Sequence, residues 1–470
     1  MRTKVNIQPE FNFQPSNLKV TNEYYRKYEQ IASILDDNRK LLDLVHKSLK
    51  EPLKYAAVKN RDGSTFKYSS DTVLRMLLCQ VVEGASLRAI VIRIDDSNYL
   101  RRFVRIYNGP MMDFTTLDKL KNSIRPATWK KINRALATYA VGAGMISPEK
   151  LRLDTTAVET NVHWPTDSSL LWDTYRVLAR LIQQARELDP RSIGDRRVLK
   201  KKVKKLAAKI SRKATKNPEV TAKLKPLYEQ LIRLVEGICE WSTAVGKQIE
   251  AGIGRGCYGH LEQVMAEVIV EDISRYRDLG QRVIDQASRR VLHGTQVPNQ
   301  EKIFSIFEPH TELLKRGKAG KQIEFGHMIQ IQQVQEKFIT DYEVFDEKPI
   351  EYELVEPAID SHKKLFGEYP KSVAADKGYW QHKAAIEQLA HKVEMISIAK
   401  KGKRTHEEAE RETDPVFRHA QRFRAGVEGS ISFLKRVLGL FRCYNKGWEN
   451  YVCTVGATVL AHNLLILARC

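Results

Sequence analysis

The sequence predicts an α/β core, preceded by a helical domain and interrupted by a helical insertion. Three observations carry this. Strand-like and helical segments alternate from about residue 300 to the C-terminus, the pattern of an α/β core. Residues 168–290 read as helical and charged, with a glycine-rich break at 252–259. Residues 1–145 look helical and globular. The expected domains are a helical N-terminal domain over 1–145, an α/β domain over 146–167 and 295–470, and a basic helical insertion over 168–294. A chain of 470 residues is long enough to bury the cores this requires.

In chain order, residues 72–82 are apolar-periodic, Glu83-Gly84-Ala85-Ser86 forms a turn with a helix start, and 87–94 continue as a second helix. Helix, short glycine turn and helix is the outline of a helix-turn-helix, and equally of an ordinary helical hairpin. Arg88, Arg93, Arg101, Arg102 and Arg105 lie nearby, which favours DNA contact. Thr115 or Thr116 caps the next helix, and 126–140 supply another. The Thr- and Val-rich stretch 150–162 is strand-like, with two strands joined near Thr155-Thr156 as a hairpin bearing Asp154. Strand signals return at 302–308, 321–332 and 337–345, and 357–369 read as a helix. Residues 372–376 form a short buried strand ended by Lys377-Gly378-Tyr379. A helix at 382–391, a strand at 393–399, a charged loop at 400–414 and the helix carrying Glu428 follow. The apolar run 452–468 contains His462 and Asn463; it is too short and polar for a membrane span and reads as a buried helix.

Charge and cysteines restrict the function. A net charge of +21 favours a polyanionic partner, with nucleic acid first. The excess is concentrated: between Arg191 and Lys225, fourteen Lys or Arg residues stand against Asp195 and Glu219. Lys200, Lys201, Lys202, Lys204 and Lys205 decorate a helix whose apolar stripe is Leu199, Val203, Leu206 and Ile210, suited to phosphate contacts that do not read sequence. A solvated helix face is the plainer alternative. The six cysteines are scattered with no C-x-x-C pair, which suggests neither a disulfide framework nor a zinc knuckle and fits a reducing compartment. The start of the chain lacks the apolar run of a signal peptide, and a cytoplasmic protein is expected.

The chemistry resides in a small set of residues. Arg424, Glu428 and Lys435 fall within roughly 40° of one another on a helix. Arg and Glu at this spacing also make ordinary surface ion pairs. Gly426 and Gly429 beside the glutamate allow a backbone, or a metal and its phosphate, to come close. Asp154 and Asp376 each lie in or at the end of a strand. Two such aspartates and a helical glutamate can converge at a sheet edge closely enough to share metal ions. Magnesium prefers a few carboxylates plus substrate phosphate, and paired ions suit in-line displacement at phosphorus. There is no Walker loop and no H-E-x-x-H, and the G-x-G-x-x-G of Gly254, Gly256 and Gly259 follows a helix rather than a strand.

These residues resemble the DDE transposases of bacterial insertion sequences. Leu153-Asp154-Thr155-Thr156 and Ala375-Asp376-Lys377-Gly378-Tyr379 are similar to the two aspartate motifs, and Phe325-Gly326-His327 to a strand motif between them. Arg424-x3-Glu428-x6-Lys435 matches the R-E-K part of the family's Y-x2-R-x3-E-x6-K signature, with Gln421 where the tyrosine would stand. The resemblance implies an RNase H-like mixed sheet with flanking helices, and catalytic, metal-holding roles for Asp154, Asp376 and Glu428 toward two Mg2+ or Mn2+ ions. It implies phosphate contacts from Arg424 and Lys435, and a nucleoid-associated homodimer acting on double-stranded DNA at transposon ends and targets. Strand cleavage and strand transfer would be its reactions. Trp164 and Trp380 lie near the aspartates in sequence and could stack on an unpaired base, or simply pack in the core. A structure-specific metal-dependent nuclease and a non-catalytic DNA-binding derivative are the competing readings.

Overall fold

The computed structural model describes residues 4–5, 16–50, 68–194, 196–215, 218–315 and 322–469. Asp195, the side chain of Glu219 and the first residue of the 321–332 strand signal, Lys321, lie outside the described residues. The chain divides into two compact units, one of Met1–Thr160 and His327–Cys470, the other of Asn161–Gly326.

Among the described residues the first unit opens with helices α1 (Lys19–Asp37), α2 (Arg39–Lys50), α3 (Ser70–Val82), α4 (Leu87–Asp96), α5 (Asn98–Val104), α6 (Phe114–Asn122) and α7 (Pro126–Gly142). Their starts are set locally. Ser69 accepts from the Thr72 amide and Ser86 from the Ala89 amide, each satisfying a donor that a helix start leaves open. Gly84 supplies the positive φ, +57°, that turns α3 into α4. Asp113, rather than either threonine after it, caps α6 through the Thr115 amide at 2.8 Å.

Strand β1 (Lys150–Thr160) follows. It is one continuous strand where a hairpin was expected. Thr155 and Thr156 are β-branched and offer no residue suited to a reversing turn. The strand pairs in parallel with one neighbour at 150–153 and with another at 159–160.

The second unit is mainly helical: α8 (Asp167–Leu188), α9 (Lys200–Lys213), α10 (Pro218–Gly254) and α11 (His260–Ala287). Their apolar faces, including Leu178, Val203, Leu231 and Ile273, form one core. Residues 302–308 are not a strand. Ile303 and Ile306 are drawn into that helical core, and the backbone amides are satisfied locally, Ile303 by Gln286 Oε1 and Phe307 and Glu308 by Ser305 Oγ. Strand β2 (Glu312–Lys315) pairs antiparallel with residues 323–326 of β3 (Ile323–Gln333).

From His327 onward the chain completes the first unit with β4 (Ile339–Val344), α12 (Val355–Phe366), β5 (Ser372–Ala375), α13 (Lys383–Gln388), β6 (Met395–Ile398), α14 (His406–Thr413), α15 (Pro415–Arg436), β7 (Arg442–Cys443) and α16 (Trp448–Leu467). Within the sheet β3, β1, β5 and β6 lie side by side; β4 pairs antiparallel with β3, whereas β1, β5 and β6 run parallel. The segment 400–414, read above as a loop, contains α14. A reciprocal cap between Thr405 and Glu408 starts that helix, and Lys400 anchors Glu408 at 2.6 Å. Helix α16 is long and apolar enough to cross a membrane by composition, yet most of it is buried in the same hydrophobic cluster as α3 and α7.

Candidate active site

Parallel register brings the two aspartates together. Leu153 is paired with Ala375, and the β1–β5 ladder stops there, so Asp154 and Asp376 are the next residues on neighbouring strands. Such strands lie about 4.8 Å apart. Each carboxylate is held by the amide that follows it: Asp154 accepts from Thr155 N at 2.8 Å and Asp376 from Lys377 N at 2.8 Å.

Helix α15 brings Glu428 within electrostatic reach of Asp154. Asp154 feels the negative charges of Asp376 and Glu428 and the positive charge of Arg424. Its carboxyl is raised to about 6, first by burial and then by the two acids, with the Thr155 amide and Arg424 pulling the other way. Glu428 accepts from Arg424 Nη1 at 3.1 Å, with the glutamate side chain 64% exposed and the arginine 19%. Lys435 lies two turns further along α15 and is half-buried.

The acids share one electrostatic neighbourhood without closing on a common point. Among the described residues no group of three His, Cys, Asp or Glu side chains is gathered closely enough to hold a metal ion. Like charges repel, and Glu428 pairs with the neighbouring cation instead. The donors nevertheless suit a hard divalent cation, since all three are carboxylates and the buried Asp154 carboxylate is a charge that a bound cation would help to solvate.

Three residues at the site carried little signal in the sequence. Glu351 accepts from Thr155 Oγ1 at 2.5 Å, and a Cβ at Gly378 would collide with its carboxylate. Gly378 in the second aspartate motif is thus the space that Glu351 occupies. Gln421 donates through Nε2 to Ser397 O at 2.7 Å and Ser397 Oγ at 3.0 Å, tying α15 to β6. Arg152, on β1, is buried and reaches α15 beside Gly426. Gly426 therefore admits a side chain, whereas nothing lies within 4 Å of a Cβ at Gly429.

The remaining candidates lie elsewhere. Lys200, Lys201, Lys202, Lys204 and Lys205 form the exposed face of α9, opposite the buried Val203, Leu206 and Ile210. Arg88 is exposed on α4, its guanidinium 4.6 Å from the Phe114 ring centroid. Trp164 is 62% exposed and meets Phe325 edge-on. Trp380 is 7% exposed, packed in the core beneath β5 and β6 with Arg411 over its ring, so it presents no face to a base.

Residues 301–464 match the family described as Transposase DDE domain, and residues 22–123 match Transposase domain (DUF772). No curated protein and no solved structure matches the chain. The first match covers Asp376 and Glu428, and the second runs from within α1 to the end of α6. A mixed sheet flanked by helices, with an acid-bearing helix against it, defines a DDE-domain protein of RNase H-like fold. The chain belongs to the DDE transposases of insertion sequences.

Proposed function

We propose that this transposase binds the inverted repeats at transposon ends and catalyses divalent-metal-dependent strand cleavage and strand transfer through Asp154, Asp376 and Glu428. The observation that carries the reading is the common field of these three acids where the β1–β5 ladder ends. Those carboxylates would hold two Mg2+ or Mn2+ ions. Bound there, such cations supply Lewis-acid stabilisation at phosphorus and an acidified water. Arg424, freed from Glu428, offsets charge developing on phosphate oxygens, and Lys435 adds to that field from the same helix face. The five α9 lysines contact the duplex backbone, Arg88 and the N-terminal helices contribute to end binding, and exposed Trp164 offers a face to an unpaired base. The protein acts as a homodimer, one copy at each end.

The test is cleavage of end-bearing DNA by D154N, D376N and E428Q. Each substitution removes an anionic ligand with little change in shape. All three should bind DNA as the unmodified protein does and fail to cleave in Mg2+ or Mn2+. Wild-type cleavage by any one of them would remove that residue from the set.

A further inference from the structure

Arg152 is 3% exposed, yet among the described residues it forms no salt bridge. Its partners are neutral oxygens. Nε donates to Gln333 Oε1 on β3 at 2.8 Å, and Nη1 donates to the Phe423 carbonyl on α15 at 2.6 Å. The guanidinium carbon lies 4.6 Å from the Phe423 ring centroid. Among the described residues Glu336 is the one acid whose charge reaches it, without a direct ion pair. Burying a cation so weakly compensated is costly, and a core that needed only packing would be better filled by an apolar side chain.

The position of this arginine accounts for that cost. Strand side chains alternate, so Arg152 and Asp154 emerge on the same face of β1. The Phe423 carbonyl immediately precedes Arg424, and Glu428 follows one turn and a residue later. The helix is cut away to receive the guanidinium: a Cβ at Gly426 would overlap Nη1 and come within 3.1 Å of Cζ. Glycine weakens a helix interior, so a glycine two residues before Glu428 needs a compensating role. Gln421 fixes the preceding turn of the same helix to β6.

We infer that Arg152, seated in the notch at Gly426, is a positioning residue that sets the height and rotation of α15 on β1 so that Glu428 faces Asp154 and Asp376. The inference rests on the proposed roles of those three acids. It adds that their alignment depends on a buried hydrogen-bonded wedge rather than on packing alone. Arg152 touches neither DNA nor the reacting atoms in this role; it acts through Phe423 and the helix.

The full-length variants R152M, R152K, G426A and R152M/G426A test it. Steady-state cleavage gives kcat and KM, and hydrogen exchange across 423–430 in metal-free, DNA-free protein reports the helix directly. A displacement near 1 Å can cost about 100-fold, so R152M should lose kcat on that order while KM for end DNA stays within about twofold. R152K keeps one donor for the Phe423 carbonyl and should recover about tenfold of that loss. G426A should lower kcat and speed exchange at 423–430 in the Arg152 protein, and should do neither in the R152M background, where the guanidinium that the added methyl would meet is gone. G426A with unchanged kcat and exchange, or a double variant whose loss is the product of the single losses, overturns the wedge. Should R152M fail to fold, G426A against the unmodified protein decides by the same two readouts. Because exchange is read without metal or DNA, the wedge can stand even where D154N or E428Q disproves the carboxylate assignment.

Discussion

Replacing Asn463 by leucine should destabilise the sheet locally and by a calculable amount. Asn463 is fully buried in α16 and serves both backbone groups of Ile339 at the start of β4: Oδ1 accepts from Ile339 N at 2.9 Å, and Nδ2 donates to Ile339 O at 2.8 Å. Leucine has nearly the same volume and fills the site without either bond. Two buried backbone groups then lose their partners, at about 1–3 kcal/mol each. Burying the leucine returns part of this, leaving a net cost of about 3 kcal/mol. Native-state hydrogen exchange is the assay, because two units need not unfold in one transition. Protection of the Ile339 amide should fall by about two orders of magnitude, at 1.36 kcal/mol per tenfold. Exchange at α9, in the other unit, should not change. Unaltered protection at Ile339 would mean the amide is satisfied some other way and would refute the assignment of Asn463 as the link between α16 and β4.

Two further measurements follow from charges in the structure. Burial holds His362 and His462 down to about 4, below the ordinary 6.5, so the folded protein keeps both neutral. The unfolded chain takes up protons first as pH falls, so stability is fully present above about 6.5 and is lost down to about 4. Between pH 7 and pH 5 each histidine should cost about 2 kcal/mol, seen as a lower urea midpoint, and H362Q/H462Q should flatten that dependence. On α9, replacing Lys200, Lys201, Lys202, Lys204 and Lys205 by glutamine should weaken DNA binding and reduce the slope of log K against log salt by about 0.9 for each phosphate contact removed. An unchanged slope would make that face merely solvated.

Much of the element pattern was legible because its signals are local. The apolar periodicity of α3, α7 and α16, the glycine turn at 84 and the strand at 372–375 each depend on neighbours a few residues away. The failures involved longer reach. Residues 302–308 have strand-like composition, but Ile303 and Ile306 are claimed by a helical core built from distant sequence. The segment 400–414 reads as a charged loop, yet Thr405, Glu408 and Lys400 satisfy one another and start a helix. Thr155-Thr156 was read as a corner, although only partners far along the chain determine whether a strand ends.

The sequence by itself determined the chemistry on offer: acids at 154, 376 and 428, cations at 424 and 435 on one helix face, and a basic helix at 200–205. Residue identity and helical spacing are properties of short segments, so they survive without coordinates. The tertiary structure alone decided which groups meet. Parallel register put Asp154 beside Asp376, and helix docking added Glu428 to their field. Tertiary packing likewise explained Gly426 by Arg152 and Gly378 by Glu351, and it made Trp380 a core residue, whereas Trp164 is exposed. Burial and register are long-range quantities, set by partners hundreds of residues away, and no window of sequence contains them.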